Sequence, residues 1–196
     1  MTDAARPAVF LDRDGTISEE MGYMNHLTRF HVFPFAAAAI QRLNQAGWPV
    51  IVVTNQSGHS RGFFPEEMIH RVHDKMITDL AAGGARLDGI YYCPHQKSDG
   101  CDCRKPLLGM LERAAHEHNL SLAGSWVVSD RYEDLTIAPA ITGCSILVLT
   151  GYGRGEFEWN RSTWARQPDF VVENLAVAVD TILSSPAQPS RDKEQP

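Results

Sequence analysis

Two aspartates stand two positions apart in Phe10-Leu11-Asp12-Arg13-Asp14-Gly15-Thr16, just behind an apolar run and just ahead of a glycine that permits a tight turn. A carboxylate pair at such an exit can hold a hard cation, attack an electrophile or move a proton. The same residues would also suit an ordinary Asx turn and helix cap. Two other loops favour chemistry: Thr54, Asn55 and Gln56 follow the apolar Pro49–Val53, and Asp130 and Asp134 follow Trp126–Val128.

A second constellation is Cys93-Pro94-His95, five residues, then Cys101-Asp102-Cys103. Four soft or borderline ligands at this spacing can close around one ion, and tetrahedral zinc is the natural occupant. Four protein ligands leave no position for a reacting water, so such a zinc would be structural and would tie down the loop that ends in Arg104-Lys105. Free thiols are the bland reading of the same cysteines. Cys144 stands in an apolar stretch and reads as a core residue.

The elements that must position these residues follow from the apolar pattern. Strands are predicted at Ala8–Leu11, Pro49–Val53, Gly89–Tyr92, Trp126–Val128, Ser145–Leu149 and Phe170–Val172. Helices are predicted at Phe35–Ala46 before Gly47, Pro65–Ala82 before Gly83-Gly84, and Leu107–Asn119, with a closing helix capped by Asn174 and reaching about Leu183. Alternating βα units predict an α/β fold: a Rossmann-like parallel sheet with helices on both faces. In such sheets ligands bind beyond the carboxyl ends of the strands, where the polar residues above collect. The chain is expected to be one domain over 8–183, between a flexible segment 1–7 and a disordered, proline-rich tail 184–196.

The chain has 196 residues, 43% apolar and 21% charged, enough for one buried core. A net charge of −6 excludes duplex nucleic acid as the main partner. No apolar run is long enough to span a bilayer and Met1 to Pro7 lacks the core of a signal peptide, so a cytoplasmic protein with no membrane partner is expected; a monomer is expected as well.

With these motifs the sequence closely resembles the haloacid dehalogenase superfamily of phosphohydrolases, whose first motif is Asp-x-Asp-x-Thr after a buried strand. The resemblance implies that Asp12 attacks phosphorus to form an aspartyl phosphate, while Asp14 protonates the leaving oxygen and then activates water. It also implies magnesium on the Asp12 carboxylate, the Asp14 backbone carbonyl and Asp130, with Thr54 and Lys105 stabilising the phosphoryl group. Ser129-Asp130-Arg131-Tyr132-Glu133-Asp134 is similar to the fourth motif, with Ser129 in place of the usual glycine; there Asp134 either orients metal-bound water or caps a helix.

The zinc-type cluster narrows the resemblance to the heptose bisphosphate phosphatases and the related histidinol phosphate phosphatases, although its five-residue spacer is short for that pattern. Thr54-Asn55-Gln56-Ser57-Gly58, Arg61-Gly62 and Gly22-Tyr23 favour the heptose group. The expected ester is then a small phosphorylated sugar, contacted by Glu20, Gly22, Tyr23, Asn55, Gln56, Ser57, Arg61, Arg104 and Arg131, with the arginines meeting a second phosphate or hydroxyls. Only about forty residues separate Asp14 from Thr54 and about fifty separate Thr54 from Lys105, so no large cap domain is expected. A non-catalytic, zinc-stabilised phosphosugar-binding module is the alternative of another class.

Overall fold

Side chains alternate between the two faces of each strand, and both faces here are apolar. Val9 and Leu11 point into one core while Ala8 and Phe10 point into the other; Val50 and Val52 oppose Ile51 and Val53 in the same way. Such runs form a sheet covered on both sides. The computed structural model describes residues 5–185 and contains a six-stranded, all-parallel sheet.

The strands are β1 (Arg6–Leu11), β2 (Val50–Asn55), β3 (Gly89–Cys93), β4 (Leu120–Ser129), β5 (Cys144–Val148) and β6 (Phe170–Val172), in the spatial order β3-β2-β1-β4-β5-β6. Helices α1 (Ala36–Gln45), α2 (Glu66–Ala82) and α7 (Leu175–Ser184) send Ile40, Val72 and Val179 into one core. Helix α3 (Gly109–His118) and the short α4 (Tyr132–Leu135) and α5 (Ile137–Ala140) fill the other with Leu111, Leu135 and Ile137. Helix α6 (Gly153–Asn160) follows β5. Strand order reverses between β1 and β4, and that switch point opens the crevice where the first and fourth polar loops meet.

The expected elements are present with shifted edges. Strand β1 begins at Arg6, so Arg6 and Pro7 belong to the sheet rather than to a flexible segment. Strand β4 begins six residues early, because Leu120 and Ser121 pair with Arg6 and Pro7 before the register shifts. At that shift Ser125 Oγ accepts the Ala8 backbone N–H at 3.0 Å. Thr54 and Asn55 are the last residues of β2 rather than the loop behind it. Asn174 caps α7 as expected, its Oδ1 accepting from the N–H groups of Ala176 and Val177. Of the expected tail, Ser184 closes α7 and 186–196 lie outside the described residues.

Cys144 opens β5, half-buried against the larger core. Among the described residues no helix is long and apolar enough to cross a membrane.

Candidate active site

Parallel strands end together, so the last residues of β1, β2 and β4 deliver their side chains to one place. The Asp12 backbone N–H donates to Val128 O at 2.9 Å and fastens the two central strand ends. Asp12, Thr54, Lys105, Asp130 and Asp134 are all buried there. Lys105 comes from the segment before α3, and its backbone is held by a side chain of β2: Asn55 Oδ1 accepts the Lys105 N–H at 3.1 Å and Asn55 Nδ2 donates to its carbonyl at 3.2 Å.

The Lys105 ammonium lies 2.8 Å from Asp12 Oδ1 and 2.7 Å from Asp134 Oδ2. Asp134 therefore ion-pairs with Lys105 from inside α4, and it does not cap that helix. Ser129 is part of the same arrangement. Its hydroxyl donates to Asp134 Oδ2 at 2.9 Å and accepts the Arg131 N–H at 3.1 Å, tying down the turn where a glycine is usual.

Asp130 feels the charge of Asp12. Its Oδ2 accepts the Tyr152 N–H at 2.8 Å, whereas its Oδ1 is buried with no hydrogen-bond partner among the described residues. Burial, then the charge of Asp12, pushes the Asp130 carboxyl up to about 8. Asp12 is pushed up to about 6, chiefly by burial; Lys105 pulls against this while Asp134 adds to it. Burial works against the charge on Lys105, but Asp12 and Asp134 outweigh it and raise its pKa. Three buried carboxylates, two of them paired with the one ammonium of Lys105, carry more negative charge when ionised than that ammonium balances, a deficit that a divalent cation would neutralise. The unpartnered Asp130 oxygen beside Asp12 fits an oxygen-ligated ion such as magnesium.

Asp14 faces the opening. Arg13 grips it with Nε at 3.0 Å from Oδ1 and Nη2 at 2.6 Å from Oδ2, and Gln56 Nε2 donates to Oδ2 at 2.9 Å and to Thr54 Oγ1 at 2.8 Å. Asp14, Glu20, Gly22, Tyr23, Asn55 and Gln56, with Ser57 and Arg131, line an open cleft of about 300 Å³. Glu20 is raised in pKa by burial and by Asp14, and it accepts the Gly22 N–H. Arg131 reaches the cleft with its Nε 2.7 Å from Glu156 and its guanidinium 4.7 Å from the centre of the Tyr152 ring.

Seven of the nine expected ester contacts thus line one cleft, and two do not. Arg104 borders a neighbouring hollow beside Lys105 and Leu107, its Nη1 donating to His95 O at 3.0 Å. Arg61 sits exposed on the turn that its own N–H closes onto Ser57 O. Residues that the motifs did not single out are Arg13, Gly151 and Tyr152. Gly151 had one available signal, since Thr150-Gly151 leaves β5 as Asp-containing loops leave β1 and β4.

The second constellation also converges. The ligand atoms of Cys93, His95, Cys101 and Cys103 all lie within 4.8 Å of one another. His95 presents Nδ1, 3.3 Å from Cys103 Sγ. The five-residue spacer is long enough because a 3-10 turn at Lys97–Asp99, boxed by Gln96, ends in Gly100 at φ 65° and turns the chain back. This cluster could hold a metal ion.

A HAD-hydrolase-like family model matches residues 102–178. A D-glycero-D-manno-heptose-1,7-bisphosphate 7-phosphatase of Thermosynechococcus vestitus is 39% identical over 190 residues, covering 91% of this chain and 96% of its own. The chain belongs to the HAD-like hydrolases. Another member of this family, a D-glycero-beta-D-manno-heptose-1,7-bisphosphate 7-phosphatase of Yersinia pestis, is 42% identical over 153 residues, 74% of this chain and 81% of its own. Among solved HAD-like structures, the D,D-heptose 1,7-bisphosphate phosphatase from B. bronchiseptica complexed with magnesium and phosphate superposes with a TM-score of 0.81. It is 36% identical, over 90% of this chain and 98% of that one.

Proposed function

We propose that this HAD-like chain is a magnesium-dependent phosphatase that removes the 7-phosphate of D-glycero-D-manno-heptose 1,7-bisphosphate through an aspartyl phosphate on Asp12. The observation that carries the reading is the buried cluster of Asp12, Asp130 and Asp134, in which the Lys105 ammonium pairs with Asp12 and Asp134, beside a polar cleft that Asp14 lines. The substrate follows from the relatives, which cover nearly the whole chain.

A phosphomonoester dianion repels a carboxylate nucleophile, so the site must gather positive charge before attack can occur. Lys105 stands against Asp12 and supplies part of it. Thr54 presents a hydroxyl at the end of β2, oriented by Gln56. Asp14, at the cleft wall, gives its proton to the departing sugar oxygen and afterwards takes one from the water that releases phosphate from Asp12. Magnesium, held by the Asp12 and Asp130 carboxylates and the Asp14 carbonyl, would supply the remaining charge compensation. Glu20, Tyr23, Ser57 and Arg131 contact the sugar, and Arg104 and Arg61 lie farther out, toward the remaining phosphate. Zinc in the Cys93, His95, Cys101 and Cys103 cluster would fix the backbone that presents Arg104 and Lys105.

The test is a panel containing the heptose bisphosphate and histidinol phosphate, assayed with magnesium and compared by kcat/KM. The bisphosphate should be preferred, with phosphate lost from position 7; a preference for histidinol phosphate would overturn the substrate. Asp12→Asn should abolish turnover with an unchanged circular dichroism spectrum, and retained turnover would remove Asp12 as nucleophile. That second outcome also separates an enzyme from a module that only holds phosphosugars.

A further inference from the structure

Arg13 is among the largest fully buried side chains of the molecule, 1% exposed, although its neighbours in sequence line the reacting centre. Two nitrogens of its guanidinium, Nε and Nη2, grip Asp14, and the third turns to another partner. Nη1 lies 3.3 Å from Nε2 of His73, a residue on the inner face of α2 that is itself 6% exposed. A guanidinium can only donate, so Nε2 must carry the lone pair and the ring proton sits on Nδ1. Burial, then the charge of Arg13, lowers the imidazole to about 3 and keeps it neutral. The Phe30 ring, 5.9 Å from the guanidinium carbon, is packed beside the same cation.

This buttress distinguishes the two oxygens of Asp14. Oδ2 accepts from Arg13 Nη2 and Gln56 Nε2, which uses both of its lone pairs. Among the described residues Oδ1 accepts from Arg13 Nε alone. We propose that His73 is a positioning residue for the reaction: through Arg13 it holds Asp14 so that Oδ1 is the oxygen that passes a proton to the departing ester oxygen. This rests on the acid/base role of Asp14 given above. As a bond forms between Asp12 and phosphorus and the ester P–O bond breaks, the proton on Asp14 Oδ1 moves to the leaving oxygen. The sugar departs as an alcohol and Asp14 is left as a carboxylate hydrogen-bonded to Arg13.

The readout is the dependence on leaving group. A sugar alkoxide must be protonated to leave, whereas 4-nitrophenolate need not be. Because kcat/KM covers the steps up to departure of the leaving group, its ratio between the heptose bisphosphate and 4-nitrophenyl phosphate isolates the acid step. Both values come from one preparation, so the ratio is independent of how much of a variant is folded. His73→Leu should lower kcat/KM on the sugar ester about tenfold or more while changing the aryl ester by less than about twofold. His73→Gln, whose side-chain carbonyl can accept from Arg13, should restore the sugar-ester rate.

Equal losses on both esters, no loss on either, or a Gln variant as poor as the Leu variant would overturn the proposal. Asp14→Asn is the control. If it too fails to discriminate between the esters, the acid role of Asp14 falls; if it discriminates and His73→Leu does not, only the positioning role of His73 falls.

Discussion

Gly15 and Asp130 approach so closely that a Cβ on the glycine would lie 2.1 Å from Asp130 Oδ2, although 115 positions separate them in the chain. Gly151 presses on the same oxygen, its own Cβ position again 2.1 Å away and 2.7 Å from the Gly15 Cα, and Thr150 Oγ1 donates to the Gly15 carbonyl. Asp130 thus lies against two backbones that reach it only because neither carries a side chain.

Gly15→Ala and Gly151→Ala should therefore displace Asp130 rather than merely crowd it. Both glycines have positive φ, 76° and 53°, so alanine adds backbone strain of about 1–2 kcal/mol. Steady-state kinetics should show kcat/KM falling by about a hundredfold in either variant, as for other displacements of around an ångström at a reacting centre. Isothermal titration should show weakened magnesium binding, while Gly155→Ala, which meets nothing within 4 Å, should be neutral in both assays.

The raised carboxyl of Asp130 makes the metal-free protein less stable than it need be. A carboxyl at about 8 in the fold and 3.8 unfolded is favoured in its protonated form by folding. The fold gains from that proton below the unfolded value, and the gain is lost as pH rises through about 8. Asp130→Asn removes the charge, so without magnesium its melting temperature should exceed that of the unmodified protein at pH 8 and above. The difference should shrink toward pH 4, and magnesium in excess should reverse the order at pH 8. Equal melting curves across that range would contradict the assignment of Asp130 as the uncompensated charge.

Lys105 compensates two carboxylates at once, so removing it should be costlier than removing either partner. Lys105→Met leaves Asp12 and Asp134 buried without their cation and should destabilise the fold by about 3–5 kcal/mol in urea unfolding. Adding Asp134→Asn to that variant should recover part of the stability and none of the turnover. Full additivity of the two changes would mean that the pair is not coupled.

Much of this was legible in the sequence because the strands announce themselves. Val50 to Val53 and Val127-Val128 are apolar on both faces, which only a sheet covered on both sides accommodates, and the carboxylates stand at their exits. What the sequence hid was pairing across distance. Asp134 offers a carboxylate that could cap a helix or pair with a cation, and only the fold brings Lys105 within 2.7 Å. Asn55 resembles a ligand contact, yet its amide is occupied with the Lys105 backbone. Helix α6 escapes a reading of the sequence because Gly153 and Gly155 weaken helix propensity, and with it goes Glu156, the partner of Arg131. Arg13 reads as a surface charge until its partners on α2 and in the first loop are seen to bury it.

The Cys93, His95, Cys101 and Cys103 cluster and the reacting centre are joined by a short backbone path, so loss of a metal held there should be felt in catalysis as well as in stability. His95 places Nδ1 in that cluster beside Cys103, and Cys103 stands two residues before Lys105, whose ammonium touches Asp12. Replacing Cys101 and Cys103 by serine should release the ion, read by elemental analysis, and lower the melting temperature, because metal-binding energy here is folding energy. The same variant should lose kcat/KM on the heptose bisphosphate by about tenfold or more as Lys105 loses its fixed position. Arg104→Ala, which leaves the four ligands and Lys105 in place, should keep the metal and the melting temperature and change only KM. If the serine variant retained its ion, or lost the ion with no change in melting, the cluster would not be the structural metal site that its geometry describes.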